Sequence, residues 1–215
     1  MNSERLLVPP IQPELPGFSD INRYWDKTNE KYAAKILPGE YYVTVHDEVI
    51  VTVLGSCVSA CVRDTVFGIG GMNHFMLPLN KNEDPNSFGG TGVSARFGNF
   101  AMEQMINDIL KNGGRRENLE IKVFGGGRVL KNMSTLDIGQ KNIDFILKYI
   151  SDESLKLAAK DLGDIYPRKV LYFPVSGRVR VKKLRSLHNN TIIERETRYS
   201  KTIAKEPVSG EIDLF

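Results

Sequence analysis

The chain has few cysteines and no long apolar run. Among its 215 residues are 2 cysteines and 3 histidines, so a disulfide framework is excluded and a reducing compartment is indicated. No segment approaches the roughly 18 consecutive apolar residues of a membrane span, and the first residues lack the apolar stretch of a signal peptide. We therefore expect a cytoplasmic protein that does not insert into membranes.

The excess of positive charge is also small. The formal net charge of +3 is too low to indicate nucleic-acid binding by itself. Basic residues alternate with apolar ones between Arg178 and Arg185, a pattern typical of a solvent-exposed edge strand. No aromatic platform for stacking bases accompanies it. Nucleic acid is therefore not an expected partner.

The usual motifs for cofactors and metals are missing too. Gly125-Gly126-Gly127 is not followed by the Lys and Ser/Thr of a phosphate-binding loop, and its glycines lack the spacing of a dinucleotide fingerprint. A tight turn or a close backbone approach explains it better. The histidines at positions 46, 74 and 188 have no ligand-like spacing to either cysteine. We expect no cofactor and no metal.

Length and composition indicate one globular domain with a sizeable core and two extensions. Residues 1–38 contain several prolines and are expected to form a partly irregular N-terminal extension, with a short amphipathic helix over 19–34. Residues 39–185 are expected to form the central domain. Residues 186–215 are polar, without sustained periodicity, and are expected to form an irregular tail.

Hydrophobic periodicity predicts both strands and helices within the central domain. Strands are predicted over 41–45, 49–54 and 119–124, with a final hairpin over 170–184. Helices are predicted over 95–111 and 140–149 from apolar residues at helical spacing. This mixture is typical of a layered α/β domain.

Cys57 and His74 form the most informative pair in the sequence. Cys57 follows an apolar run, and His74 begins a second run after two glycines. Between them, Asp64 and Gly68 indicate a chain reversal, which would return His74 to the level of Cys57. An imidazole beside a thiol is the minimum needed for a thiolate nucleophile near neutral pH.

The residues around Cys57 also bear on chemistry. Gly55 and Ser56 leave the backbone free to turn, so that N–H groups could face a substrate oxyanion. The alternative stays open, because a cysteine among valines is commonly a small core residue. Cys61 fits that packing role, since a pair of cysteines four residues apart is a weak redox signal.

Several ordered motifs resemble the chemoreceptor glutamine deamidase family, CheD. The segment from Gly55 to Pro78 is similar to the family signature, a G-S-C turn followed by G-G-x-x-H-x-M-L-P. Further similar motifs are Arg96-Phe97-Gly98-Asn99-Phe100-Ala101-Met102, Lys122-Val123-Phe124-Gly125-Gly126-Gly127, Ile138-Gly139-Gln140-Lys141-Asn142, Asp161-Leu162-Gly163 and Tyr166-Pro167-Arg168-Lys169-Val170. The resemblance covers roughly residues 39–184, and its several motifs make it specific.

The resemblance implies a fold, an activity and a set of site residues. The fold would be layered mixed β-sheets with packed helices, a CheD-like cysteine hydrolase fold. The activity would be that of a protein-glutamine glutaminase, which converts glutamines of methyl-accepting chemotaxis receptors to glutamate. Cys57 would be the nucleophile and His74 the base, with Gly55 and Ser56 at the oxyanion.

A third catalytic residue is implied by the family's threonine upstream of the cysteine. Many members place it six residues before the cysteine, where this chain has Val51, while Thr52 lies one residue nearer. Neighbouring positions on a strand face opposite sides, so the shift matters. A turn one residue shorter before Gly55 would give Thr52 the family role, and we expect Thr52 to act beside His74.

Two alternative functions stay open from the sequence. The first is a different cysteine hydrolase on the same scaffold, such as a peptidase or a deamidase of another protein. The second is a non-catalytic module that binds receptors or a CheC-type phosphatase through its surface. The cysteine and histidine cannot separate the first of these from a receptor deamidase. Thiol reactivity separates the second, because a binding module has no need of a cysteine with a low pKa.

Overall fold

The computed structural model describes residues 8–78, 93–129, 137–185 and 190–203. In these ranges ten strands form two five-stranded sheets, and three α-helices and a short 3₁₀ helix complete the fold. Each sheet contains both parallel and antiparallel neighbours. The predicted fold class, α/β with layered mixed sheets and packed helices, is therefore confirmed.

The elements follow one another with short connections over most of the described chain. The strands are β1 (Asn22–Asp26), β2 (Lys31–Lys35), β3 (Tyr41–Thr44), β4 (Val49–Leu54), β5 (Val58–Asp64), β6 (Gly70–Asn73), β7 (Leu119–Gly125), β8 (Lys156–Leu162), β9 (Arg168–Phe173) and β10 (Arg178–Lys183). The helices are α1 (Val93–Lys111), the 3₁₀ helix Arg116–Asn118, α2 (Ile138–Asp152) and α3 (Asn190–Ile203). The first sheet has the order β1-β2-β4-β9-β10, and the second has the order β3-β6-β5-β7-β8.

The start of the described chain differs from expectation, because residues 19–34 contain a hairpin. The prediction of a helix there is wrong. Asp26 accepts hydrogen bonds from the backbone N–H groups of Thr28 and Asn29, which fixes a tight turn between β1 and β2. Trp25 and Tyr32 are opposite each other in the register and pack edge to face. Their spacing thus reflects a cross-strand pair and not one face of a helix.

The hairpin belongs to the first sheet, because β2 pairs in parallel with β4. Ala33 and Ile36 are fully or almost fully buried, so the residues before 38 contribute to the core. The division of the chain at residues 38 and 186 stays a prediction. At the other edge of this sheet, β10 pairs only with β9 in the described chain, as the alternating basic pattern predicts.

The β5–β6 hairpin confirms the predicted reversal between Cys57 and His74. The carboxylate of Asp64 accepts hydrogen bonds from the N–H groups of Val66 and Phe67, which closes the turn and lowers the pKa of Asp64 against the effect of its desolvation. β5 and β6 then run antiparallel. Their open end continues into an isolated bridge between Val58 and Phe75, next to Cys57 and His74.

The main core lies between the two sheets and under the helices. Ile50 and Leu54 of β4 belong to the same buried cluster as Val62 of β5 and Met72 of β6. α1 packs on β3, β5 and β6, and α2 packs on β5, β7 and β8. Burying apolar faces of this kind stabilises the fold by about 25 cal/mol for each Å² removed from water. Within the described ranges, no helix is long and apolar enough to cross a membrane.

The predicted helices α1 and α2 are confirmed, but β8 and α3 lie where no element was predicted. β8 is mostly exposed, so its sequence lacks the apolar alternation of a half-buried strand. Residues 190–203 form α3 and not an irregular tail. Glu196, Ser200 and Ile203 are buried at helical spacing. Two of these three are polar, which hides the buried face from an analysis of hydrophobic periodicity.

Candidate active site

Cys57 lies in the short loop that leads from β4 in the first sheet to β5 in the second. Its side chain is fully buried. The loop is held by backbone contacts, since the N–H of Gly126 donates to the carbonyl of Cys57 at 2.8 Å and that of Gly127 donates to Gly55 at 2.7 Å. A Cβ at Gly125 would meet the Cys57 carbonyl oxygen at 2.2 Å. The three glycines therefore serve a close backbone approach, as the sequence indicates.

Asn142 on α2 ties the Cys57 loop to the segment after His74. Its Nδ2 donates to the carbonyl of Ser56 at 2.9 Å, and its Oδ1 accepts from the N–H of Leu77 at 2.9 Å. Asn142 is fully buried, so both partners depend on it for satisfied hydrogen bonds. The sequence places Asn142 in a family-like motif, but its bridging role is visible only in the fold.

His74 follows β6 and is fixed through both its backbone and its ring. Its N–H donates to the carbonyl of Glu40 at 2.9 Å, and its carbonyl accepts from Gly39 at 2.8 Å. Its Nδ1 lies 2.7 Å from the hydroxyl oxygen of Thr52. Because Thr52 belongs to β4 and His74 follows β6, this hydrogen bond joins the two sheets.

Thr52 determines which ring nitrogen of His74 carries the proton. Its hydroxyl donates to the carbonyl of Ile36 at 2.9 Å, and a hydroxyl has one proton to donate. It must therefore accept from Nδ1–H of His74, which leaves the neutral ring with an acceptor lone pair at Nε2. Among the described residues Nε2 has no hydrogen-bond partner. Nε2 of His74, which Thr52 does not contact, is therefore the ring nitrogen that can act as a base.

The orientation of β4 decides which of Val51 and Thr52 lies beside His74. Val51 belongs to a small apolar cluster with Ala33, Val49 and Phe173, away from His74. Thr52, its neighbour, faces the imidazole because successive side chains on a strand point to opposite sides. The expectation that Thr52 lies beside His74 agrees with this geometry, while its catalytic role stays a prediction.

The thiol and the imidazole meet a third group that the sequence analysis missed. The Cys57 sulfur, a ring nitrogen of His74 and a carboxylate oxygen of Glu196 all lie within 4.8 Å of one another, and the three residues are buried. Glu196 comes from α3, 139 residues after Cys57. No local motif marks it, since a glutamate in a polar segment is ordinarily a solvated surface residue.

Glu196 binds the backbone N–H groups of the Cys57 loop. Its Oε1 accepts from Gly55 at 2.7 Å and from Cys57 at 3.3 Å. Its Oε2 accepts from the N–H of Ser56 at 2.8 Å and from the Ser56 hydroxyl at 2.7 Å. These donors satisfy a carboxylate that would otherwise be costly to bury. The group of N–H donors of Gly55, Ser56 and Cys57 is called the amide cradle below.

Burial keeps both reactive groups neutral in this arrangement. Burial raises the pKa of the Cys57 thiol well above its usual range, and the negative charge of Glu196 raises it further. Burial also lowers the pKa of His74 to about 3, with a smaller contribution from the positive charge of Arg195. The pair is therefore present as thiol and neutral imidazole, and not as thiolate and imidazolium.

The same three side chains are the candidate metal ligands in the described chain. Their existing contacts do not favour that use. Both oxygens of Glu196 already accept from the amide cradle, and Nδ1 of His74 is engaged by Thr52. The arrangement fits a nucleophile, a base and a group of oxyanion donors better than a coordination sphere. His188 lies outside the described residues.

The fold and the site define a class of protein: a thiol-dependent hydrolase in which a cysteine between two mixed sheets is paired with an oriented histidine. The chain belongs to the CheD family. The family model, described as CheD chemotactic sensory transduction, matches residues 76–183. This match begins just after His74, while similarity to individual relatives extends over almost the whole chain.

Three relatives illustrate the similarity. A protein of Methylobacillus flagellatus is 56% identical over 206 residues, which cover 96% of this chain and 98% of the relative. One of Halorhodospira halophila is 56% identical over 203 residues, covering 94% of this chain and 93% of the relative. One of Hahella chejuensis is 47% identical over 215 residues, covering 100% of both chains. Each is named a probable chemoreceptor glutamine deamidase CheD.

The structure brings together all five residues that the sequence singles out. Cys57, His74 and Thr52 form a continuous series of neighbours, and the N–H groups of Gly55 and Ser56 face the same space. Cys61 lies in the buried core on β5, where packing is its evident role. The individual catalytic roles of the five residues stay predictions.

Proposed function

We propose that this protein is a chemoreceptor glutamine deamidase, which hydrolyses the side-chain amide of glutamines in methyl-accepting chemotaxis receptors. The observation that carries the proposal is the oriented imidazole of His74, with Nδ1 bound by Thr52 and Nε2 free, beside the Cys57 thiol. The names of the relatives support the choice of substrate.

The reaction uses the neutral form of His74 that Thr52 selects. Nε2 takes the proton of the Cys57 thiol, and the resulting thiolate attacks the carboxamide carbon of the substrate glutamine. The imidazolium then gives its proton to the departing nitrogen, the C–N bond breaks, and ammonia leaves. The product of this half-reaction is a thioester between Cys57 and the receptor.

Water completes the reaction at the same imidazole. Nε2 takes a proton from water, the hydroxide attacks the thioester carbon, and the C–S bond breaks. Cys57 regains its proton and the receptor carries glutamate in place of glutamine. The amide cradle stabilises the oxyanion of both tetrahedral intermediates, an effect worth about 3 kcal/mol for each donor in other acyl-transfer enzymes. Gly55 and Ser56 act through their backbone N–H groups in this scheme.

Conversion to glutamate creates a carboxylate that can be methylated, so the reaction would change receptor signalling. We also propose a cytoplasmic location, because the receptor segments that carry methylation sites lie there and the cysteines are free in this structure. A CheC-type phosphatase is a proposed further partner, and this rests on the family resemblance alone.

Mass spectrometry of a receptor cytoplasmic fragment tests the function directly. Each conversion of glutamine to glutamate raises the mass by about 1 Da, and wild-type protein should produce this shift at defined glutamines. Cys57→Ala should produce none, while the matched variant Cys61→Ala should retain most of the activity. A fragment that binds the protein but gains no mass would support the non-catalytic binding module instead.

A further inference from the structure

The amide cradle is occupied by a group from the protein's own chain. The four hydrogen bonds to Glu196 come from the N–H groups of Gly55, Ser56 and Cys57 and from the Ser56 hydroxyl. In the proposed reaction, these N–H groups must receive the oxygen of the substrate amide. Glu196 and a substrate glutamine therefore compete for the same donors.

The competing group is also chemically equivalent to the reaction product. Deamidation of glutamine leaves a glutamate side chain in the site, and α3 presents a glutamate side chain there. Its carboxylate oxygen lies within 4.8 Å of both the Cys57 sulfur and a ring nitrogen of His74. The fit is close, because a Cβ at Gly55 would meet the Glu196 oxygens at 2.7 and 2.8 Å.

The buried side chains described on α3 are mostly polar. They are Glu196, Ser200 and Ile203, of which only the last is apolar, while Glu194 and Arg198 are exposed. Ile203 belongs to the main core, and Tyr199 packs half-buried against it. Release of α3 would withdraw these two apolar side chains and would leave the contacts between the two sheets in place.

We propose that α3 closes the active site as an intramolecular product analogue, with Glu196 in the amide cradle, and that it must leave before a receptor glutamine can enter. This rests on the proposed deamidase function. The closed form buries Cys57 completely, which excludes substrate. Release of α3 would expose the thiol and remove the negative charge of Glu196, and both changes lower the thiol pKa.

Two measurements on Glu196→Ala test the closure in the full-length protein, with Glu194→Ala as the matched control on the exposed side of the same helix. The first is alkylation of Cys57 by iodoacetamide, with peptide mapping to separate Cys57 from Cys61. The second is the rate of deamidation of a receptor cytoplasmic fragment. Both rates should rise by about tenfold or more in Glu196→Ala and remain at the wild-type value in Glu194→Ala.

The two readouts separate failure of the closure from failure of the deamidase function. An unchanged alkylation rate in a folded Glu196→Ala protein would overturn the closure. So would faster alkylation with slower deamidation than wild type, because Glu196 would then only brace the loop. Faster alkylation with no deamidation by any variant would leave the closure standing and reject the deamidase function.

Glu196→Gln gives a second test that retains the shape of the side chain. A glutamine at 196 places an amide in the cradle, so Cys57 and His74 should convert it to glutamate with loss of ammonia. Tandem mass spectrometry should find a gain of about 1 Da at residue 196, and none in the double variant with Cys57→Ala. A Glu196→Gln protein that deamidates receptors but keeps its own glutamine would contradict the product analogy.

Discussion

At the scale of single residues, the hydroxyl group of Thr52 orients the imidazole of His74. Its one proton goes to the carbonyl of Ile36, and its lone pair receives Nδ1–H of His74. A threonine in this position orients an imidazole as a carboxylate does in other hydrolases, but it adds no charge. In the proposed reaction, the imidazolium of His74 would therefore be less stabilised than it would be beside an aspartate.

Replacing Thr52 by valine tests this role with almost no change of volume. Thr52→Val removes the acceptor for Nδ1–H and leaves the Ile36 carbonyl without its hydroxyl donor, so His74 should lose its preferred tautomer and orientation. We expect receptor deamidation to slow by about 10- to 100-fold. Thr52→Ser, which retains the hydroxyl, should restore most of the rate. Equal rates in the valine variant and wild type would reject an orienting role.

At the scale of elements, the end of β7 shapes the Cys57 loop through backbone contact. Gly125 has φ of +117° and leaves no space for a side chain beside the Cys57 carbonyl. Gly163 also has a positive φ, of +78°, but a Cβ there meets nothing within 4 Å. The two positions therefore separate the cost of backbone conformation from the cost of a clash.

This pair of glycines makes a matched experiment in denaturant unfolding. Gly163→Ala should lower the free energy of unfolding by about 1 kcal/mol, the usual cost of a positive φ for a residue with a side chain. Gly125→Ala should lower it by about 3 kcal/mol or more, because the new methyl group displaces the Cys57 carbonyl. It should also slow deamidation. Similar losses in both variants would show that the contact at Gly125 is unimportant.

What the sequence could predict at this scale depends on how local each signal is. Cys57 and His74 flank one hairpin, so the turn residues between them predicted their approach. Glu196 could not be predicted, because its position follows from the packing of a distant helix with a polar buried face. Likewise, the Trp25–Tyr32 pair has a spacing that fits a helix or a hairpin, and only the Asp26 turn decides between them.

At the scale of the whole molecule, burial of His74 makes stability depend on pH. The fold lowers the pKa of His74 to about 3, whereas an unfolded histidine titrates near 6.5. Between these values the unfolded chain binds the additional proton. The contribution of neutral His74 to the free energy of unfolding is therefore complete above about pH 6.5, and it declines as the pH falls towards 3.

Urea unfolding at a series of pH values tests this dependence. We expect the free energy of unfolding of wild type to fall by on the order of a few kcal/mol between pH 6.5 and 4. His74→Gln cannot gain a proton there, so its curve should be flatter. If the free energy of unfolding of wild type and of His74→Gln changed in parallel with pH, His74 would not be the cause of this pH dependence.

The hydrogen bond between Thr52 and His74 crosses from one sheet to the other, and Cys57 lies in the connection between them. The relative positions of Thr52, His74 and Cys57 consequently depend on the distance between the two sheets. Side chains such as Ile50 and Met72, which belong to the core between the sheets, set that spacing at a distance from the substrate. We therefore expect deamidase activity to be lost on mild heating, at temperatures at which the strands are still intact.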